Sequence, residues 1–242
     1  MLVPGVLCRL LVFASLLYSV SCTPTAGAQK DLPETFSFPG LLQILANQPD
    51  HTADWTISVR DEKFGINLAR HIKIARKQGK ARQDFYPLED AERLKNKTDR
   101  GYRLFSIIQP GQPPLVFDPQ AKTYTEMASE LKGNPFDVDQ FVKNSQRLMD
   151  KVKLQAGGIV SIDGHEATKV KMTIDGEGEI FFYFARDMKN LLIRIYSGDN
   201  QGGAFTVSNI SFDVSDDLFQ MPGGYKRVTL RAFKSPLDRK AK

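Results

Sequence analysis

The stretch whose reading decides the fold is Gly158 to Tyr196, GIVSIDGHEATKVKMTIDGEGEIFFYFARDMKNLLIRIY, followed by AFTVSNISFDV (204–214) and MPGGYKRV (221–228). Short runs of Val, Ile, Phe and Tyr are cut at intervals by Asp-Gly, Gly-Glu-Gly, Asp-Met-Lys-Asn and a Gly-rich gap. Gly and Asn supply the positive φ angles of tight turns, so this pattern predicts consecutive antiparallel strands. Alternation assigns the faces: Val170, Met172 and Ile174 share one, and Leu191, Ile193 and Ile195 share one with Arg194 opposed. The run Ile180–Phe184 is apolar on both faces, with Ile180, Phe182 and Phe184 on one side and Phe181 and Tyr183 on the other. Such a strand calls for cover on both sides. Phe205 and Val207 give way to Ile210 and Phe212, a change of register that predicts a bulge near Ser208-Asn209.

Working outward, Trp55–Arg60 alternates as a first strand. His71–Lys77 and Lys80–Tyr86 flank Gln78-Gly79 as a hairpin. Tyr102–Gln109 reads as a strand, with Leu104, Ser106 and Ile108 opposite Phe105 and Ile107, and Leu115–Asp118 and Lys122–Met127 form a second hairpin. Tyr225–Leu230 makes a last strand. Pro39–Asn47 places Leu41, Leu42, Ile44 and Leu45 at helical spacing, a short amphipathic helix lying on the sheet. From Ala128 to Leu154 the period changes, and Val138, Phe141, Val142, Leu148, Val152 and Leu154 predict a longer helix capped by Asp137 or Asp139. The expected class is α+β: a single strongly curved antiparallel sheet of about ten strands, a half-open barrel, covered by helices.

The chain has 242 residues, of which 41% are hydrophobic and 25% charged, enough for a substantial core. The formal charge of +5 is scattered apart from Arg76–Arg82 and a terminal RKAK, so no dense basic stripe points to nucleic acid. Leu10–Val20 is an apolar run of signal-peptide length. Ala26-Gly27-Ala28 fits ordinary cleavage and gives a leader over 1–28. Ser19-Val20-Ser21 before Cys22 resembles a bacterial lipobox, giving a leader over 1–21 and acylation at Cys22. The second is favoured, because a cysteine directly after a small residue at the end of the run is otherwise unexplained. Residues 29–52 then form a tether and the short helix, 53–230 the folded domain, and 231–242 a basic tail. Either cleavage implies export to the periplasm or cell envelope, and acylation implies the outer membrane. With Cys8 and Cys22 accounted for, no cysteine is left for a disulfide or a nucleophile.

No catalytic constellation is evident. His51, His71 and His165 lack a second His or Cys at metal-ligand spacing, so no metal and no cofactor is expected. His51 reads as a loop residue, and Asp163-Gly164 is explained as a hairpin turn. Asp175-Gly176-Glu177-Gly178-Glu179 reads as a turn rather than a calcium loop. Asn96-Lys97-Thr98 and Asn209-Ile210-Ser211 match the glycosylation acceptor pattern. What remains is apolar surface in excess of a one-faced sheet. Composition alone favours a packed core over a cavity.

Three segments resemble the LolA/LolB-like fold of periplasmic lipoprotein carriers, in its outer-membrane lipoprotein-sorting-like branch. They are IARKQGKARQDFY (74–86), SIIQPGQPPLVFDPQAKTYTEM (106–127), and 158–228 with its GHEAT, ARDMKNLLIRI and LFQMPGGYKRV. The resemblance implies a half-closed barrel that receives a lipid or lipoprotein acyl chain without catalysis. The expected lining is Ile180, Phe182, Phe184, Leu191, Ile193, Ile195, Phe205 and Val207 from the sheet, with Phe141 and Leu148 from the helical lid. In such carriers a basic residue on an early strand holds the lid shut, which makes Arg76 and Arg82 candidates. The implied partners are a lipid or lipoprotein acyl chain and, through Cys22, the inner leaflet of the outer membrane. The alternative is a structural or protein-interaction module of the envelope with a filled core.

Overall fold

The structure, a computed structural model, describes residues 32, 35–61, 66–90, 104–127, 152–175, 178–198 and 203–233. The expected leader, Cys22, Asn96, Gly176-Glu177 and the 128–151 segment with Phe141 and Leu148 lie outside the described residues.

The strands are β1 (His51–Asp61), β2 (Ile66–Lys77), β3 (Lys80–Asp90), β4 (Leu104–Ile108), β5 (Leu115–Asp118) and β6 (Thr123–Glu126), then β7 (Val152–Ile162), β8 (His165–Ile174), β9 (Gly178–Ala185), β10 (Leu191–Ser197), β11 (Gly203–Ser211) and β12 (Lys226–Arg227). They form one curved, unclosed twelve-stranded sheet in the order β12-β6-β5-β4-β3-β2-β1-β11-β10-β9-β8-β7. All neighbours are antiparallel except β12, which joins β6 in parallel. One α-helix among the described residues, α1 (Phe38–Ala46), lies on the inner face.

The hairpin turns follow from two-residue loops that need positive φ at both positions. Gln78 and Gly79 have φ of 50° and 77°, and Asp163 and Gly164 of 51° and 83°. The expected bulge on β11 is present: Thr52 pairs Ser211 while Asp54 pairs Ser208, and Asn209 takes φ 52°. Pro87, which has no N–H to give a ladder, sits where β3 carries an extra residue between its pairings with Ile72 and Arg70.

Four expectations are corrected. Val152 and Leu154, assigned above to the end of a long helix, lie in β7, paired with Ile174 and Met172. Val152 and Leu154 both meet the inner core, which a helical spacing and a strand spacing satisfy equally over so few residues. The sheet has twelve strands rather than about ten. Leu191, Ile193 and Ile195 do not share a face: a bulge between Leu192 and Arg194 groups Leu192 with Ile195 inside and turns Ile193 to Ala167 and Ala185 on the outer face. The last strand is two residues long instead of six, and Thr229 already accepts from Ala232 in a turn.

α1 begins at Ser37, whose hydroxyl accepts from Gly40 N at 3.1 Å, and Pro39 occupies its first turn, where a missing N–H is harmless. Its buried Phe38, Leu41, Ile44 and Leu45 pack on Trp55 and Ile57 of β1, Ile72 and Ile74 of β2, and residues of β8 to β11. The outer face is covered by the chain after β11. Val214 and Phe219 pack on Ala75, and Tyr225 packs edge-on against Phe105 and Phe117. Lys77 and Lys80 both reach Asp216, at 2.8 and 3.2 Å, and Gln109 donates to the Phe219 carbonyl at 3.0 Å.

Candidate functional site

The C-terminal end of α1 meets the sheet at a cluster of polar side chains set among apolar ones. An α-helix leaves its last carbonyls without partners, so a buried helix end must find donors. Gln48 supplies one, donating to Ile44 O at 3.1 Å and to Asn190 O at 3.2 Å, while its Oε1 accepts from Leu192 N at 2.6 Å. One side chain thus ties the helix end to the start of β10, beside the Ile193 bulge. Arg76, on β2, gives a second donor, Nη1 to Leu45 O at 3.5 Å. The cation also lies at the negative end of the helix dipole.

Beneath this end lies a cavity of about 30 Å³, bordered by Gln48, His51, Trp55, Arg76, Gln83 and apolar side chains including Leu45, Leu192 and Phe205. His51 is not a loop residue: it opens β1 opposite Arg76 and is only 3% exposed. Its Nδ1–H donates to Pro49 O at 2.7 Å. Burial lowers its pKa from 6.5 to about 4, helped by the Arg76 cation and opposed by the Pro49 bond and Asp50, so the ring is neutral at pH 7. Trp55, stacked edge-on against Phe205 with centroids 4.9 Å apart, is 8% exposed, and its indole Nε1–H has no hydrogen-bond partner among the described residues.

The sequence-predicted lining divides in three. Phe182, Phe184, Ile195 and Phe205 lie in the inner core beneath α1, with Ile180 and Val207 at its margin. Leu191 and Phe205 border the cavity. Ile193 lies on the other face. Of the two basic candidates, Arg76 reaches the helix. Arg82 points to the outer face, where Nε donates to Asp84 Oδ1 at 2.9 Å, Nη1 reaches Leu218 O at 3.4 Å, and the guanidinium lies 4.6 Å from the Phe105 ring centroid. Asp84 is itself raised by burial, against the lowering pull of Arg82.

Trp55, Gln48 and Gln83 carry much of the polar character of this site and carry no motif. Trp55 announced itself only as an aromatic in a strand, and Gln48 only as the residue after a helix. The other histidines are engaged in local structure. His71 Nε2 lies 3.6 Å from Asp54 and its ring packs on Tyr86, and His165 Nδ1 lies 2.8 Å from Asp187 Oδ2. Among the described residues no group of three His, Cys, Asp or Glu converges to hold a metal ion. Among them, too, no helix is long and apolar enough to cross a membrane.

No protein-family model matches the chain, and no curated protein does. Solved structures similar to it include the Pseudomonas aeruginosa MucA/MucB complex, at 15% identity and a TM-score of 0.41, covering 74% of this chain and 59% of that one. The Mycobacterium tuberculosis lipoprotein LppX is similar at 16% identity and a TM-score of 0.38, covering 69% of this chain and 89% of that one. A putative outer membrane lipoprotein-sorting protein domain from Vibrio parahaemolyticus is similar at 11% identity and a TM-score of 0.31, covering 71% of this chain and 89% of that one.

Proposed function

We propose that the protein is a non-catalytic binder of the cell envelope that holds an acyl chain of a lipid or lipoprotein against the inner face of its sheet, with α1 as a displaceable cover. One observation carries this reading: among the described residues, the apolar centre of an unclosed twelve-stranded sheet is covered by one nine-residue helix. An isolated helix of that length is unstable in water, so α1 exists by its contacts with the sheet, and another apolar occupant has to replace those contacts.

The cavity of about 30 Å³ is far too small for an acyl chain, so binding requires α1 to move. The exchange can be weighed. Uncovering Phe38, Leu41, Ile44 and Leu45 costs about 1.5–3 kcal/mol each, on the order of 8 kcal/mol together. An acyl chain regains about 0.8 kcal/mol per buried methylene, so roughly ten methylenes offset the helix. Short chains should therefore bind poorly and long ones well.

The protein purified from its native envelope and examined by native mass spectrometry is expected to carry lipid, and after delipidation to bind a fluorescent long-chain fatty acid. Absence of both would end the reading. The close packing of Phe182 and Phe184, both 0% exposed, supports a second reading, an interaction module with a permanently filled core. That reading predicts no lipid in either measurement.

A further inference from the structure

We propose that His51 is an acid-sensitive latch for α1: a proton on its ring favours the displaced helix and so opens the inner face of the sheet to an acyl chain. The inference rests on the acyl-binding reading and names how that site is regulated.

The geometry ties the ring to the helix. Asn47, Gln48, Pro49 and Asp50 are all that separates the end of α1 from His51 at the start of β1. Leu45 and Gln48 border the same small cavity as His51, so the helix end and its exit form one wall of the closed site. Within that exit, Pro49 O accepts the Nδ1–H of His51 at 2.7 Å. Gln48 holds the helix at Ile44 O and the sheet at Asn190 O and Leu192 N. Displacing α1 therefore breaks the wall beside His51, and water reaches the ring.

While α1 is in place, the surroundings reject a charge there. His51 is only 3% exposed, and with Nδ1–H committed to Pro49 the added proton goes to Nε2. The side chains that border the site from the helix end, β3, β10 and β11 are neutral, among them Gln48, Gln83, Leu192 and Phe205. From β2 comes a cation, Arg76, opposite His51 in register. The carboxylate that acts on the ring is that of Asp50, which is exposed and accepts the Gln78 amide at 2.8 Å. Burial is the larger effect: it lowers the ring from 6.5 to about 4, with Arg76 adding and the Pro49 bond and Asp50 opposing. Hydration on opening returns the ring toward 6.5, so opening takes up a proton between those values. The closed form keeps its full advantage above pH 6.5 and loses it as the pH falls toward 4.

The test uses the full chain, delipidated. Hydrogen exchange of the α1 amides, corrected for the intrinsic effect of pH on exchange, is compared without ligand at neutral and acid pH. Opening that hydrates His51 makes their protection about tenfold lower at about pH 5.5 than at about pH 7.5. Hexadecanol, a single-chain probe with no titratable group at these pH values, should bind tighter at acid pH by about the same factor, because only the open form binds it. His51→Gln keeps a donor for Pro49 O and cannot take the proton, so it is expected to lose both pH dependences. A further readout needs no variant. Linkage is reciprocal, so bound hexadecanol should raise the His51 pKa, read from its imidazole resonances by NMR. Equal α1 protection at both pH values, a pH dependence retained in His51→Gln, or an imidazole pKa unmoved by bound hexadecanol would overturn the latch while leaving acyl binding intact. Failure of hexadecanol to bind at either pH would remove the acyl-binding reading, and the exchange measurement would still decide whether His51 controls α1.

Discussion

Gln48 is the residue on which the position of α1 depends most. It makes three hydrogen bonds, one of them 2.6 Å to a strand amide. Removing Gln48 leaves the Leu192 amide and the Ile44 and Asn190 carbonyls without it, each costing about 1 kcal/mol. Gln48→Ala should therefore destabilise by about 2–3 kcal/mol in urea titration. His51 makes a pH prediction. Its pKa falls from 6.5 unfolded to about 4 folded, so between those values the unfolded chain binds the extra proton. Stability is present above pH 6.5 and is lost as pH falls toward 4, by on the order of 3 kcal/mol at roughly 1.4 kcal/mol per pH unit. Subtracting the pH profile of His51→Gln from that of the native chain should isolate this slope; parallel profiles would show that His51 is not buried as described. The other polar member of the site, Trp55, depends on what is absent around one nitrogen. No sequence pattern encodes that.

At the scale of elements, α1 was legible from its apolar spacing, Leu41, Ile44 and Leu45, and the structure adds the Ser37 cap and Pro39 in the first turn. Leu41→Ala should cost about 2–5 kcal/mol in the same titration, since Leu41 is only 1% exposed and its removal opens a cavity between helix and sheet. The turns at Gln78-Gly79 and Asp163-Gly164 and the bulge at Asn209 were legible for a related reason: positive φ and a change of register leave marks in residue type. The bulge at Ile193 left none, because LLIRIYS alternates well on its own and only the pairing with β9 reveals the extra residue. Strand β9 shows a further limit. Its second face needs no layer, because Lys169 lies 4.2 Å from the Phe181 ring centroid and a Cβ on Gly198 would come within 2.9 Å of that ring. Long side chains of neighbouring strands cover aromatic rings without any helix. Strand β4, by contrast, is buried on both faces, with Phe105 and Ile107 on the outer cluster and Ser106 and Ile108 opposite.

At the scale of the molecule, two coverings among the described residues share one sheet. The segment from Val214 to Tyr225 straps the outer face and ends by pairing Lys226 with Thr123 at the far edge. Phe219, 1% exposed, anchors it, so Phe219→Ala should cost about 3–5 kcal/mol and should not alter acyl binding. Measured together, urea stability and fatty-acid affinity separate this strap from the cover on the inner face. The claim that joins the fold to its function is that α1 gives way to a chain of about ten or more methylenes. Hydrogen exchange along Phe38–Ala46 and β9, in the presence of saturated fatty acids from short to long, tests it most directly. The account predicts that long-chain acids bind, that amides of α1 exchange faster when they do, that those of β9 do not, and that short-chain acids leave both unchanged. Long-chain binding with α1 still protected, or no binding at any length, would contradict it.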